Sequence, residues 1–288
     1  MISNGFRCVL CRSGESVPFL EHCTDTYLQK PILVDYRQCG DCGLVQQYPM
    51  PNDISPFYKS NPVHMRRGAA YSRLRRWLLS GVYLPPKRWP AGARLLDFGC
   101  GDGWYLHWCC EQGLNPVGFE FSPAYAAALS ASLGVEVLAD LEVLTESYVD
   151  TFDVITLHFV VEHLTDFVGV LKRLASLLRP GGVLRYVVPV IDSWEYRLFG
   201  RHWHSLDAPR HVVFPSAQHA AQLARNLGLA HIDTQAVPFP NGIAGSLATL
   251  SRGQFNPGLF ALAFPLGWLA ARASPAGNLA VTWRRPPK

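Results

Sequence analysis

The feature that most restricts this chain is a glycine-rich turn set between an apolar strand and a helix. Leu95-Leu96-Asp97-Phe98-Gly99-Cys100-Gly101-Asp102-Gly103-Trp104 reads as a strand from Arg94 to Phe98, then three glycines in five residues, then a helix from Trp104 to Gly113. Glycine has no Cβ, so the backbone there can turn tightly and approach a ligand. The helix start that follows offers N–H groups with no partner inside the helix. In open α/β sheets ligands settle at the carboxyl ends of the strands, where such a turn lies.

The rest of the chain supplies the sheet that this turn needs. Pro116 to Glu120, Val135 to Leu138, Phe152 to Leu157, Val183 to Val188 and His231 to Gln235 read as further strands, and Asn278 to Arg284 as a last one. Helical stretches at Pro123 to Leu133, Phe167 to Leu178 and Ala217 to Leu227 fall between them. Strands alternating with helices predict an α/β, Rossmann-like parallel sheet covered on both faces. Residues 1–50 read as a separate cysteine-rich module, 51–90 as a helical linker or lid, and 91–288 as the main domain with an insertion at about 190–215. The apolar stretch at about 257–273 is too short to span a bilayer and contains Pro265, so it reads as a buried helix or hairpin arm. A monotopic membrane contact is its second reading.

The glycine pattern departs from the dinucleotide fingerprint. Trp104 stands where the third small residue belongs, and Gly103 comes one place early. Asp97, two residues ahead of the first glycine, would repel a pyrophosphate. It suits a cation such as the sulfonium amino acid of S-adenosylmethionine. Glu120 closes the second strand and can accept from both ribose hydroxyls, at roughly 1.5–3 kcal/mol per charged hydrogen bond. Phe121 is placed to lie against an adenine. Asp140, with Leu141 beside it, follows the third strand and can accept from the adenine amino group; alone, Asp140 reads equally well as a helix cap.

In this order the residues resemble class I methyltransferases over about 190 residues. Phe152 to Leu164 is similar to the fourth-strand motif of small-molecule members, and Leu178 to Leu184 to their fifth-strand entry. Phe199 to His211 resembles a signature of the branch holding quinone-pathway O-methyltransferases and enzymes of glycan clusters. The front end resembles the zinc module of sugar C-methyltransferases. The resemblance implies a seven-stranded sheet with an antiparallel last strand and S-adenosylmethionine as cofactor, with S-adenosylhomocysteine as product. Members often carry Trp-His where His158-Phe159 stands, so this histidine is displaced by one and should face the other way. Some carry an extra acid at the place of Phe159 that helps hold a divalent metal.

Methyl transfer to a hydroxyl or carbon needs positioning and removal of a proton. His163, after the fourth strand, is the first candidate base, with Glu162 to orient it or bind a substrate hydroxyl. The competing reading is that both cap the next helix. His211 is the second candidate base. Arg210 can fork onto a substrate phosphate or carboxylate, or instead pair internally with Asp207. Trp203 is a candidate substrate contact in a lid with His202 and His204. Asp97, Phe98, Gly99, Cys100, Gly101, Gly103 and His158 are expected to line the cofactor pocket.

Cys8-x-x-Cys11 and Cys39-x-x-Cys42, 27 residues apart, predict a structural zinc ribbon with four thiolates and no open position. No secretory pattern opens the chain, which points to a reducing cytoplasm, where paired cysteines favour metal over disulfides. A net charge of +4 permits an anionic partner without demanding one. The leading expectation is methylation of a small molecule, such as a sugar, glycan precursor or related metabolite. The alternatives are a zinc-ribbon ribosomal RNA base methyltransferase and a non-catalytic cofactor-binding scaffold. The first alternative draws on Arg66, Arg67, Arg73, Arg75, Arg76, Lys87 and Arg88, a basic run that otherwise reads as a solvated helix face.

Overall fold

A computed structural model describes residues 5–28, 31–58, 77, 78, 82, 83, 85, 89–250, 253–274 and 277–287. The expected basic run, and most of the expected helical linker at 51–90, lie outside the described residues.

The chain opens with an antiparallel meander of β1 (Ser16–Thr24), β2 (Leu33–Cys39) and β3 (Val45–Tyr48). The alternating part then begins with β4 (Arg94–Phe98), α1 (Trp104–Glu111), β5 (Asn115–Phe119), α2 (Pro123–Leu133), β6 (Val137–Leu138), α3 (Leu141–Ser147) and β7 (Phe152–His158). It continues through α4 (Phe167–Leu177), β8 (Leu178–Pro189) and α5 (Trp194–Phe199) to β9 (Val213–Phe214). The last elements are α6 (Ala217–Asn226), β10 (Ala230–Val237), α7 (Pro240–Leu250), α8 (Pro257–Ala273) and β11 (Asn278–Arg284).

Seven of these strands form one sheet in the order β10-β11-β8-β7-β4-β5-β6, and β11 runs antiparallel to both its neighbours. This is the class I sheet that the resemblance implies. Its inner strands are apolar on both faces because each face is covered. Along β4, Leu96 and Phe98 enter one core cluster while Leu95 enters another. Helix boundaries follow local chemistry. The Ser122 hydroxyl caps α2, Pro123 opens it, and Gly134 ends it in the left-handed region.

Two features lie beyond the sequence reading. First, β9 leaves the insertion at 190–215 and pairs with β3, through Val45 opposite Phe214 and Gln46 opposite Val213. The cysteine-rich meander and the main domain therefore share a four-stranded sheet. Second, α8 corrects the expectation of a buried helix. Only Gly267 and Ala271 are buried along it, and Leu262 stands 80% exposed. Helical periodicity gives this segment two faces, and only one of them finds a neighbour.

Candidate active site

The glycine turn sits at the carboxyl end of β4, and sterics dictate its glycines. Gly99 has φ +78, and a Cβ there would come within 2.5 Å of Val160 in the loop after β7. Gly103, φ +73, would strike Leu133 of α2 at 2.7 Å. A side chain at either place would push apart the loop and helix that shape the site.

A cavity of about 760 Å³ opens over this turn. Asp97, Gly99, Cys100, Gly101, Glu120, Phe121, His158 and His163 all line it. Asp97 is buried, and its Oδ1 accepts from the Thr156 hydroxyl at 2.9 Å with His158 Nδ1 at 3.5 Å. Glu120 is held from both sides: the Gly101 N–H donates to Oε2 at 3.2 Å and the Ser122 N–H to Oε1 at 3.3 Å. Phe121 stands edge-on to Phe98 and Phe119, with its ring otherwise exposed at the cavity. The arrangement offers a carboxylate for a cation, a carboxylate for vicinal hydroxyls and a ring for a flat base.

Several expected residues sit elsewhere. Phe98 is fully buried and stacks on Phe119 at 4.5 Å, because strand alternation sends it to the face opposite Asp97. Asp140 caps α3, its Oδ1 accepting from Glu142 N–H and Val143 N–H, and neither it nor Leu141 is among the lining residues. Trp203 lies in the core beside Tyr196 and Phe214, with its indole N–H pointing to Glu195 at 3.4 Å, so it is no surface lid. Arg210 is 2% exposed and forked onto Asp25 at 3.0 and 3.1 Å while also gripping Asp207 at 2.6 Å. Its fork is thus filled by the internal pairing left open above, extended to a second carboxylate from the meander. Burial works against the charge of Asp207, and the Arg210 guanidinium outweighs it, holding that carboxyl below its usual range.

The candidate base lines the same cavity. His163 ends a single 3-10 turn, Val161–His163, after β7. Its Nδ1 lies 3.0 Å from the Arg210 carbonyl and 2.6 Å from the Tyr58 hydroxyl. A carbonyl only accepts, so Nδ1 carries the proton and the lone pair is on Nε2. Burial lowers the His163 pKa, keeping the ring neutral and able to take a proton. The ring of His211 stands 4.5 Å away, its Nδ1 at 2.8 Å from the Ser205 carbonyl. Burial pushes His211 down to about 3.

Between them is Glu162, fully buried, with neither carboxyl oxygen hydrogen-bonded among the described residues. Burial raises it to about 8. His211 Nε2 is 4.0 Å from its Oε1. Donor atoms of Glu162, His163 and His211 lie within 4.8 Å of one another. Phe159, at the place of the family's extra acid, has φ +58 and turns its ring onto Tyr83 and Phe239. Such backbone strain in a bulky residue gathers at functional sites.

Sequence reasoning missed the aromatic lining: Tyr58, Tyr83, Trp104 and Tyr105. Tyr83 packs edge-on to Trp104 at 4.7 Å, and its carbonyl lies 3.1 Å from His158 Nε2. Nothing in the local pattern around Tyr58 or Tyr83 marks them, because their roles depend on partners 105 and 75 positions away, respectively.

The meander braces the loop around His211. The Tyr36 hydroxyl donates to the His211 carbonyl at 2.9 Å, and the Gln47 N–H donates to the Val212 carbonyl at 2.8 Å. At its far end Cys8, Cys11, Cys39 and Cys42 converge within 4.8 Å, with sulfur pairs at 3.5 and 3.6 Å. An ion ~2.3 Å from each of four sulfurs would set them ~3.8 Å apart, so the cluster fits a tetrahedral metal.

A family model described as a methyltransferase domain matches residues 66–234. Among curated proteins, the ubiquinone biosynthesis O-methyltransferase of Xanthomonas axonopodis pv. citri (strain 306) is 32% identical over 108 residues, covering 35% of this chain and 45% of that protein. The same-named protein of Bradyrhizobium sp. (strain ORS 278) is 33% identical over 150 residues, covering 49% and 56%. The chain thus spans about half the length of the curated relatives it matches. Phosphoethanolamine N-methyltransferase 2 of Haemonchus contortus, solved with S-adenosyl-L-methionine, aligns with a TM-score of 0.51 at 16% identity, over 85% of this chain and 63% of that one. At that identity the likeness speaks for the fold. With the family match covering more than half of the residues, and the strand order and glycine turn agreeing with it, this chain belongs to the methyltransferase-domain family and has the class I S-adenosylmethionine-dependent architecture.

Proposed function

We propose that the protein transfers the methyl group of S-adenosylmethionine to a hydroxyl of a small molecule. One observation carries this reading: a single cavity is lined by Asp97, Glu120 and His163 together. Asp97 binds the cationic amino acid end and Glu120 the ribose hydroxyls, with Phe121 against the adenine. The acceptor lies toward His163, whose Nε2 takes the hydroxyl proton as the oxygen attacks the methyl carbon and the sulfur leaves with its electron pair. Alignment of the two reactants supplies most of the acceleration, and a placed base about 10²–10⁴-fold. Tyr58, Tyr83 and Trp104 give the acceptor end a ring-shaped wall, which suits an aromatic hydroxyl or a sugar, glycan precursor or related metabolite. The printed names of the curated relatives favour oxygen over carbon as the methylated atom.

The four cysteines are read as a structural zinc site. A second ion is favoured by the orphaned carboxyl of Glu162, since a buried unpaired acid calls for an explanation. Glu162, His163 and His211 would hold a divalent cation, which would lower the pKa of an acceptor hydroxyl in place of base action by His163, because the one lone pair on its Nε2 serves either role and not both.

The test is a labelled-methyl transfer assay on fractionated metabolites, with mass spectrometry of the product, run with and without added divalent ions. His163→Ala should lower kcat about 10²–10⁴-fold while cofactor affinity by calorimetry stays within a few-fold. Unchanged turnover would move the base elsewhere. Label appearing on RNA in a salt-sensitive manner would favour the ribosomal alternative. Cofactor binding without product in any fraction would favour the scaffold.

A further inference from the structure

The outer side of α8 is built against the usual rule for a surface helix. Between Pro257 and Ala271 the helix has no charged residue at all. Its exposed positions are apolar: Leu259, Ala261, Leu262, Pro265, Leu266 and Leu269. Leu262, Leu266 and Leu269 stand 80%, 58% and 60% exposed, three and four positions apart, and so form one stripe. No helix among the described residues is long and apolar enough to cross a membrane. A stripe of leucines facing water from Leu259 to Leu269, about three turns, needs an occupant.

Charge indicates which occupant. Arg272 closes the stripe, with its guanidinium 3.7 Å over the ring of Trp268. Trp268 in turn stacks on Trp77 at 5.9 Å. Trp77 belongs to the most one-signed stretch of the sequence, positions 54–96, which holds nine Lys or Arg and no Asp or Glu. Arg75 and Arg76 precede Trp77 directly in the sequence. Leucines on a convex helix, interfacial tryptophans and cations at the border match an anionic bilayer surface. A second copy of this chain fits less well, because a two-fold contact along α8 would set these cations against their own copies.

We propose that α8 lies in the headgroup region of anionic membranes, with Leu262, Leu266 and Leu269 inserted between the lipids, Trp77 and Trp268 at the interface and Arg272 on the lipid phosphates. The contact is reversible, since one short helix is a weak anchor. It is also close to the cavity along the chain: Trp77 is six positions from Tyr83, which lines it.

The test uses the full chain with two kinds of vesicle, phosphatidylcholine alone and phosphatidylcholine mixed with phosphatidylglycerol. Co-sedimentation and tryptophan emission report binding, at low and high salt. The expected result is binding to the mixed vesicles, a blue shift, and weakening by salt. The double variant Leu262→Glu/Leu266→Glu should bind about tenfold more weakly or worse, with unchanged circular dichroism and unchanged affinity for S-adenosylhomocysteine. Three results would overturn the proposal. The first is no binding to either vesicle. The second is equal binding by the double variant, which would leave charge alone as the cause. The third is a wild-type dimer that the double variant turns into monomer without any vesicle binding, which would assign the face to a second copy.

Discussion

The two walls of the cavity are assembled in opposite ways. The cofactor wall comes from one stretch of chain: Asp97, the glycines and Glu120 lie within 24 positions, on adjacent parallel strands and the turn between them. The side proposed for the acceptor draws on Tyr58, Tyr83 and His163, with His211 packed behind His163, and is held by contacts that span much of the molecule. His163 meets the carbonyl of Arg210, Arg210 is locked to Asp25, and the His211 carbonyl is held by Tyr36. The first wall needs only a βαβ unit. The second needs the cysteine-rich meander, which reaches it through β9. A cofactor grip built within one βαβ unit can therefore coexist with an acceptor side set by a separate module.

That contrast can be broken from either side. The largest effect is expected from the cysteine cluster. Zinc contributes on the order of 10 kcal/mol to small domains of this kind. Cys39→Ser should cost the protein its zinc by atomic absorption and abolish turnover, while calorimetry still finds cofactor binding. Loss of both together would mean that the walls are one cooperative unit.

Next comes Arg210→Met. It removes one partner of a buried ion cluster and leaves Asp25 and Asp207 facing each other, at about 3–5 kcal/mol of stability in denaturant unfolding. The wild-type cluster also carries a pH signature. The Asp207 pKa is depressed, so its stabilisation is present above the usual carboxylate range and is lost as the pH falls through the folded-state value. The variant should lose that acid-side slope. A variant as stable as the parent would show that the cluster orients the wall without stabilising it.

The smallest effect sharpens the comparison from the other side. Asp97→Asn keeps the shape and can still accept from Thr156, but gives up the charge. Cofactor affinity should fall by about 1.5–3 kcal/mol, roughly ten- to a hundredfold, with the melting temperature little changed. An unaltered affinity for S-adenosylmethionine would sink the assignment of Asp97 to the cationic end.

Much of the fold was legible because it is written in local terms. The strand from Asn278 to Arg284 and the helix from Pro123 to Leu133 coincide with their sequence-predicted bounds, set by Pro, Gly and apolar runs. The cysteine pairs announced their meeting by spacing alone. Asp140 was harder, since the same carboxylate in the same place can cap a helix or meet a base, and it does cap α3. Trp203 and Arg210 were polar-looking members of a motif that the tertiary structure buries. The exposed stripe of α8 escaped because hydropathy reports what a helix carries, not which side finds a neighbour.

Sequence by itself determined the β4–α1 turn, because glycine sterics and a nearby carboxylate act over a few residues and require no distant partner. Only the tertiary structure decided which histidines line the cavity, where Arg210 spends its charge and which face of α8 meets water. Those outcomes depend on burial and on partners brought together from distant parts of the chain, quantities that no local window of residues contains.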